Sequence, residues 1–288
     1  MSEKAGGRPA YFPWFITPAV VLALVLAVAM AALLQYTFRQ HIPGSIQVGG
    51  FTLENFGRMS SWVYLRVFVD SLLLAGYTAG LSLLLGYPLA LALVRTRSAA
   101  LKSAIMIATI IPLFTGDIVR TYSWLIVLGK HGFVNGSLKW LGLIDTPFEL
   151  LYTMLGVTLA LVQYSLPVMV IILSAAISHI NTDYEKAAAS LGAGSLSVLW
   201  HVTLPLSMPG ILSGTVTIFA WTLSAFATPQ LVGGGKVNMV SNMVYQLGFS
   251  NFDFPFAATL SLVSLVLIFG ILGLLNVAMR RLERVGLG

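Results

Sequence analysis

Cysteine is absent from this 288-residue chain, and charge is scarce, with only 9% of residues Asp, Glu, Lys or Arg. The first absence excludes disulfides and thiolate-bound metals. The second excludes an ordinary water-soluble domain, in which about a quarter of residues carry charge. Also missing is the Gly-x-x-x-x-Gly-Lys-Ser/Thr loop that cradles nucleotide phosphates; Gly233-Gly234-Gly235-Lys236 lacks its spacing. The histidines, His41, His131, His179 and His201, are dispersed, without the clustered partners of a metal site or a catalytic base. No Ser, Asp or Glu constellation points to an intramembrane hydrolase. The chain therefore reads as having no catalytic residue, no metal and no cofactor of its own. Basic residues outnumber acidic ones by 16 to 10, but the only tight group is Arg280, Arg281 and Arg284. That leaves no contiguous face to neutralise phosphates, so nucleic acid is excluded as a partner.

What is present is apolar sequence, 57% of the chain, gathered in long blocks. About 20 such residues cross a hydrocarbon core of about 30 Å. Without water the backbone must satisfy itself, so each block should be helical. The blocks lack the period-two alternation of a transmembrane barrel. The expected fold is all-α and polytopic, with six transmembrane helices at 14–36, 67–94, 104–128, 151–177, 211–232 and 256–279. The first block follows Lys4 and Arg8 as a signal-peptide core would, and Ala27-Val28-Ala29 offers a small-x-small site. The apolar run continues through Leu33 and Leu34, which favours a retained anchor.

With the N-terminus inside, the inner segments hold nine basic residues: Lys4, Arg8, Arg95, Arg97, Lys102, Lys186, Arg280, Arg281 and Arg284. The outer ones hold six: Arg39, Arg58, Arg66, Lys130, Lys139 and Lys236. This bias puts both termini in the cytoplasm. The resulting layout is a cytoplasmic tail (1–13), a first helix (14–36), a periplasmic loop with a small interfacial or turn-rich element (37–66), a core (67–281) and a final tail (282–288). Within the core lies a cytoplasmic loop at 178–210. Trp14, Trp62 and Trp140 read as interfacial anchors. Gly76, Gly80 and Gly86 read as sites of close helix packing, and Pro88 and Pro112 as kinks.

The 178–210 loop carries the most information. Asp183 is expected to cap a short Ala-rich helix that Gly192 and Gly194 end; a second, around 196–202, should stop before Pro205. Two helices too short to span suit a groove on a partner. Here the chain resembles the ABC importer permease family, whose signature runs Glu-Ala-Ala, three residues, Gly, nine residues, Ile-x-Leu-Pro. Ala187, Ala188, Gly192, Val202, Leu204 and Pro205 fall in register. Lys186 stands where the family has glutamate, with Glu185 one residue earlier. The resemblance implies a type I ABC importer permease fold and an ATPase-coupling role for this loop. It further implies a second related permease subunit, two copies of a cytoplasmic ATPase binding ATP and Mg, a periplasmic solute-binding protein, and a bacterial inner membrane.

Further stretches are similar to the first permease of the spermidine/putrescine branch: Val119-Arg120-Thr121-Tyr122-Ser123-Trp124, Leu141 to Pro147, Phe226 to Gly234, and Asp253-Phe254-Pro255. A polyamine asks for carboxylates and aromatic faces. Candidate carboxylates are Asp70, Asp117, Asp145, Glu149 and Asp253; candidate aromatics are Tyr122, Trp124, Trp221 and Tyr245. Asp117 and Arg120 share a helical face, where they either line a substrate pathway or neutralise each other in packing. Asp70 pairs with Arg66 or meets substrate, and Asp145, Glu149 and Asp253 belong to solvated or docking loops. The alternatives are the same machinery carrying another small organic solute, such as an amino acid derivative, and an ion-coupled secondary transporter.

Overall fold

The computed structural model describes residues 12–45 and 47–286, with side chains over 16–45, 47–274 and 277. The side chains of the basic residues at both chain ends, and of Trp14, lie outside that description. Two compact units are present among the described residues. One combines the chain up to Ser61 with Val244–Val263; the other comprises Trp62–Met243 and the chain from Ser264.

In the first unit, α1 (Phe12–Tyr36) continues unbroken across Pro18 and Ala27-Val28-Ala29. Its apolar residues are exposed all round, as a helix in contact with lipid requires. The expected turn-rich element is an antiparallel hairpin of β1 (Arg39–His41) and β2 (Val48–Phe51), followed by α2 (Glu54–Arg58). Buried Asn55 of α2 ties the hairpin down, donating to the carbonyls of Thr37 and Arg39 at 3.0 and 2.9 Å. Asp253 corrects an expectation. It is no solvated loop carboxylate but is 4% exposed, accepting from Arg58 at 2.8 Å and from the Phe256 amide at 3.1 Å. The Arg58 guanidinium also lies 4.2 Å over the ring of fully buried Phe256. Two acceptor duties offset the cost of removing this carboxylate from water, while Arg58 stays partly exposed.

The second unit is built around α7 (Met154–Ser178), half of whose apolar window is buried. It packs against α3 (Trp62–Arg95) and α11 (Met208–Leu223). Small residues permit the approach: a side chain at Gly86 would press on Met169, and one at Gly210 would overlap Ala176. Gly76 and Gly80, expected to pack, face open space instead. α3 remains helical through Pro88.

Between these helices the chain breaks. The third expected span is not one helix. α4 (Ala99–Ile110) passes through a 3-10 turn (Ile111–Phe114) into α5 (Asp117–Val127), bent by 110°. Pro112 opens that turn, where it removes an amide donor. The fifth span ends at Leu223, and α12 (Ala227–Val232) is separate. α6 (Phe133–Trp140) is short and surface-lying, and Trp62 and Trp140 are both exposed. α13 (Val240–Tyr245) and a π turn lead to α14 (Phe254–Gly286). Among the described residues, four helices are long and apolar enough to cross a membrane, and up to six spans result if each of two bent pairs counts as one.

Candidate functional site

The loop after α7 folds as α8 (Thr182–Ser190), α9 (Ser195–Val198), a π turn (Leu199–Thr203) and α10 (Leu204–Leu206). Asn181, not Asp183, caps α8: its side-chain oxygen accepts from the Asp183 amide at 2.9 Å. Asp183 sits in the first turn instead, where a carboxylate opposes the helix dipole. It takes a 2.8 Å contact from Lys186, and that ammonium holds its carboxyl below the usual range.

The far end of α8 explains the alanine–glycine spacing physically. The Gly192 amide donates to the Ala189 carbonyl, and the Ala193 amide reaches back to Ala188, at 3.0 and 3.1 Å. This six-to-one closure requires a left-handed residue between them, and Gly192 has φ +89°. No atom lies within 4 Å of where its Cβ would stand. The second helix does not stop before Pro205. The π turn carries it through Pro205 to Leu206, because proline at the start of a helical segment gives up no needed amide. A 66° bend at Ser207 then begins α11.

Glu185 and Lys186 point to different surroundings. The Glu185 carboxylate accepts from Arg95 of α3 at 2.9 Å and from the Thr203 hydroxyl at 3.0 Å. Lys186 is exposed. Val202 and Leu204 are half-buried, while Ala187 and Pro205 are open. Tyr184, Leu191, Leu196 and Trp200 are exposed apolar residues on the same short loop; Leu191 is 91% exposed. Such a cluster of apolar groups, left uncovered by the rest of the chain, marks a contact surface. Arg95 and Trp200 were not singled out from sequence. Nothing near Arg95 in sequence identifies its partner, whereas a tryptophan in a short polar loop was a usable signal.

A second constellation surrounds the start of α5. Arg120, 9% exposed, donates to Asp117 at 2.6 Å and to the Thr115 carbonyl at 3.0 Å. Its guanidinium lies 4.4 Å from the Tyr164 ring, which meets Trp221 edge-on at 4.7 Å. These side chains line a cavity of about 170 Å³ with the 224–228 turn. Asp117, Arg120 and Trp221 are thus brought together, and Tyr164 joins them unpredicted. Tyr122 is exposed elsewhere, and Trp124 donates to Gln163 at 3.2 Å away from the cavity. Asp70 pairs with Arg66 at 3.8 Å, and Glu149 with Lys130 at 2.7 Å.

Residues 72–284 match the family of binding-protein-dependent transport system inner membrane components. The chain belongs to that family. This permease is 32% identical over 223 residues to the spermidine/putrescine transport system permease protein PotB of Escherichia coli, covering 77% of this chain and 80% of PotB. It is 33% identical over 204 residues to the molybdenum transport system permease protein ModB of Mycobacterium bovis, covering 68% and 74%. Its fold is similar to a chain in the crystal structure of a bacterial alginate ABC transporter in complex with an alginate pentasaccharide-bound periplasmic protein. There the TM-score is 0.76 at 22% identity, covering 95% and 98%. The chain is the inner-membrane permease subunit of an ABC importer; it is not an enzyme, and the ATPase is a separate subunit.

Proposed function

We propose that this permease translocates a small cationic organic solute of the polyamine class, and that α8 to α10 form the lever on which the separate ATPase acts. The similarity to PotB over three quarters of the chain carries the substrate class. Asp117 supports it as an exposed carboxylate beside the Tyr164 and Trp221 rings, the surroundings a desolvated ammonium needs. The coupling role is supported by a short helix with a closed glycine end and four uncovered apolar side chains. In this reading the loop and both termini are cytoplasmic, and residues 37–66 are periplasmic. The partners are a second related permease, two ATPase subunits binding ATP and Mg, and a periplasmic solute-binding protein.

A second reading, another organic solute, is favoured by one observation: the Arg120 guanidinium lines the same cavity, where a solute carboxylate would compete with Asp117 for it. Reconstituted vesicles containing all subunits test both. ATP-dependent uptake of labelled spermidine or putrescine is expected. Uptake of amino acid derivatives alone would support the second reading, and uptake by this chain without an ATPase would overturn both.

A further inference from the structure

Three separate segments meet at the Glu185 carboxylate. Arg95, the last residue of α3, donates to its Oε1 across a sequence separation of 90 residues, and Thr203 of the π turn donates to the same oxygen. Both charged side chains are mostly covered, 23% exposed for Arg95 and 21% for Glu185, and Thr203 is buried. Arg95 also reaches the Ile180 carbonyl just before α8, at 3.4 Å. About 12 Å back along α3, the Tyr87 hydroxyl shares a 3.0 Å hydrogen bond with fully buried Ser207 at the bend into α11. Lys186 cannot serve as such an anchor, since its contact is an exposed pair within α8 itself.

From this the structure assigns Arg95 and Glu185 as positioning residues that lock α8 to α3. Any displacement of α8 is then delivered to α3 and α11 together, not through the chain connection to α11 alone. A charge-assisted contact shielded from water holds direction better than an exposed one. The assignment rests on the reading of this loop as the ATPase lever.

The test uses the complete transporter in vesicles, measuring solute imported per ATP hydrolysed. R95E and E185R should each assemble and hydrolyse ATP, with that ratio falling roughly tenfold. The double variant R95E/E185R should recover most of it. A purely structural pair would instead lower the amount of complex and leave the ratio unchanged, which overturns the assignment; so does a double variant no better than the singles. Should the charge reversals prevent assembly, Thr203→Val and Arg95→Lys take their place, and an unchanged ratio in both is again decisive against it. The lever reading is tested separately, because the natural chain has no cysteine. Leu191→Cys should cross-link to a thiol on the ATPase subunit. No cross-link overturns the lever itself, while a cross-link with an unchanged ratio overturns only the Arg95–Glu185 lock.

Discussion

Arg120 with Asp117, and Arg95 with Glu185, are chemically the same ion pair used in opposite ways. The first closes within one helical turn of α5, with Asp117 left 68% exposed and free to face a second cation. The second joins segments 90 residues apart, and neither partner is left open. A local pair shapes the surface of one helix; a distant pair makes two helices move as one. The pair of Arg58 and Asp253, 195 residues apart, is also long-range but fixes a unit instead of a lever, and only its carboxylate is buried.

Breaking the long-range pair at the loop should have the largest effect. Glu185→Ala leaves Arg95 largely covered without its anion, and ATP-driven uptake should fall about tenfold at near-normal hydrolysis. Asp253→Ala should act on stability instead. It should lower the thermal unfolding free energy by about 2 kcal/mol, less than for a fully buried pair because Arg58 is partly open. Asp117→Ala should cut polyamine uptake about fivefold, the equivalent of about 1 kcal/mol of lost attraction, at an unchanged amount of assembled complex. An equal loss of uptake and complex would assign the Asp117–Arg120 pair to packing.

Gly192 sharpens the comparison from the backbone side. With φ +89° and open space at its Cβ, Gly192→Ala should cost about 1 kcal/mol of loop stability through conformation alone. Gly192→Asn should cost less, because asparagine tolerates that region. Any further loss of coupling in Gly192→Leu must then come from a neighbour outside the chain, measurable as hydrolysis without uptake.

The smallest effect is expected for the exposed Lys130–Glu149 pair. The Lys130 ammonium, chiefly through its hydrogen bond, holds the Glu149 carboxyl below its usual range, and Glu149 raises Lys130. The lowered carboxyl contributes above the ordinary glutamate pKa and ceases to as pH falls through its depressed value. The raised ammonium contributes below the ordinary lysine pKa and ceases to as pH rises past its elevated one. Lys130→Met should therefore change the unfolding midpoint slightly at neutral pH and not at all in acid.

The sequence alone determined the medium and the loop. Long apolar blocks with few charges admit only helices in lipid, and the Ala-Ala to Gly192 spacing encodes a helix end whose hydrogen bonds are local. The Asp117–Arg120 pair was equally legible, because three residues is nearly one turn. Only the tertiary structure decided where the third span breaks, at Pro112, and where the loop turns into α11, at Ser207, since a proline can either continue a helix or turn it according to its packing. It alone brought Tyr164 to Arg120, Arg58 to Asp253 and Arg95 to Glu185. Hydropathy and helical period describe neighbours along a chain, whereas these contacts depend on how separate segments cross, and that is fixed by the shape of their packed surfaces.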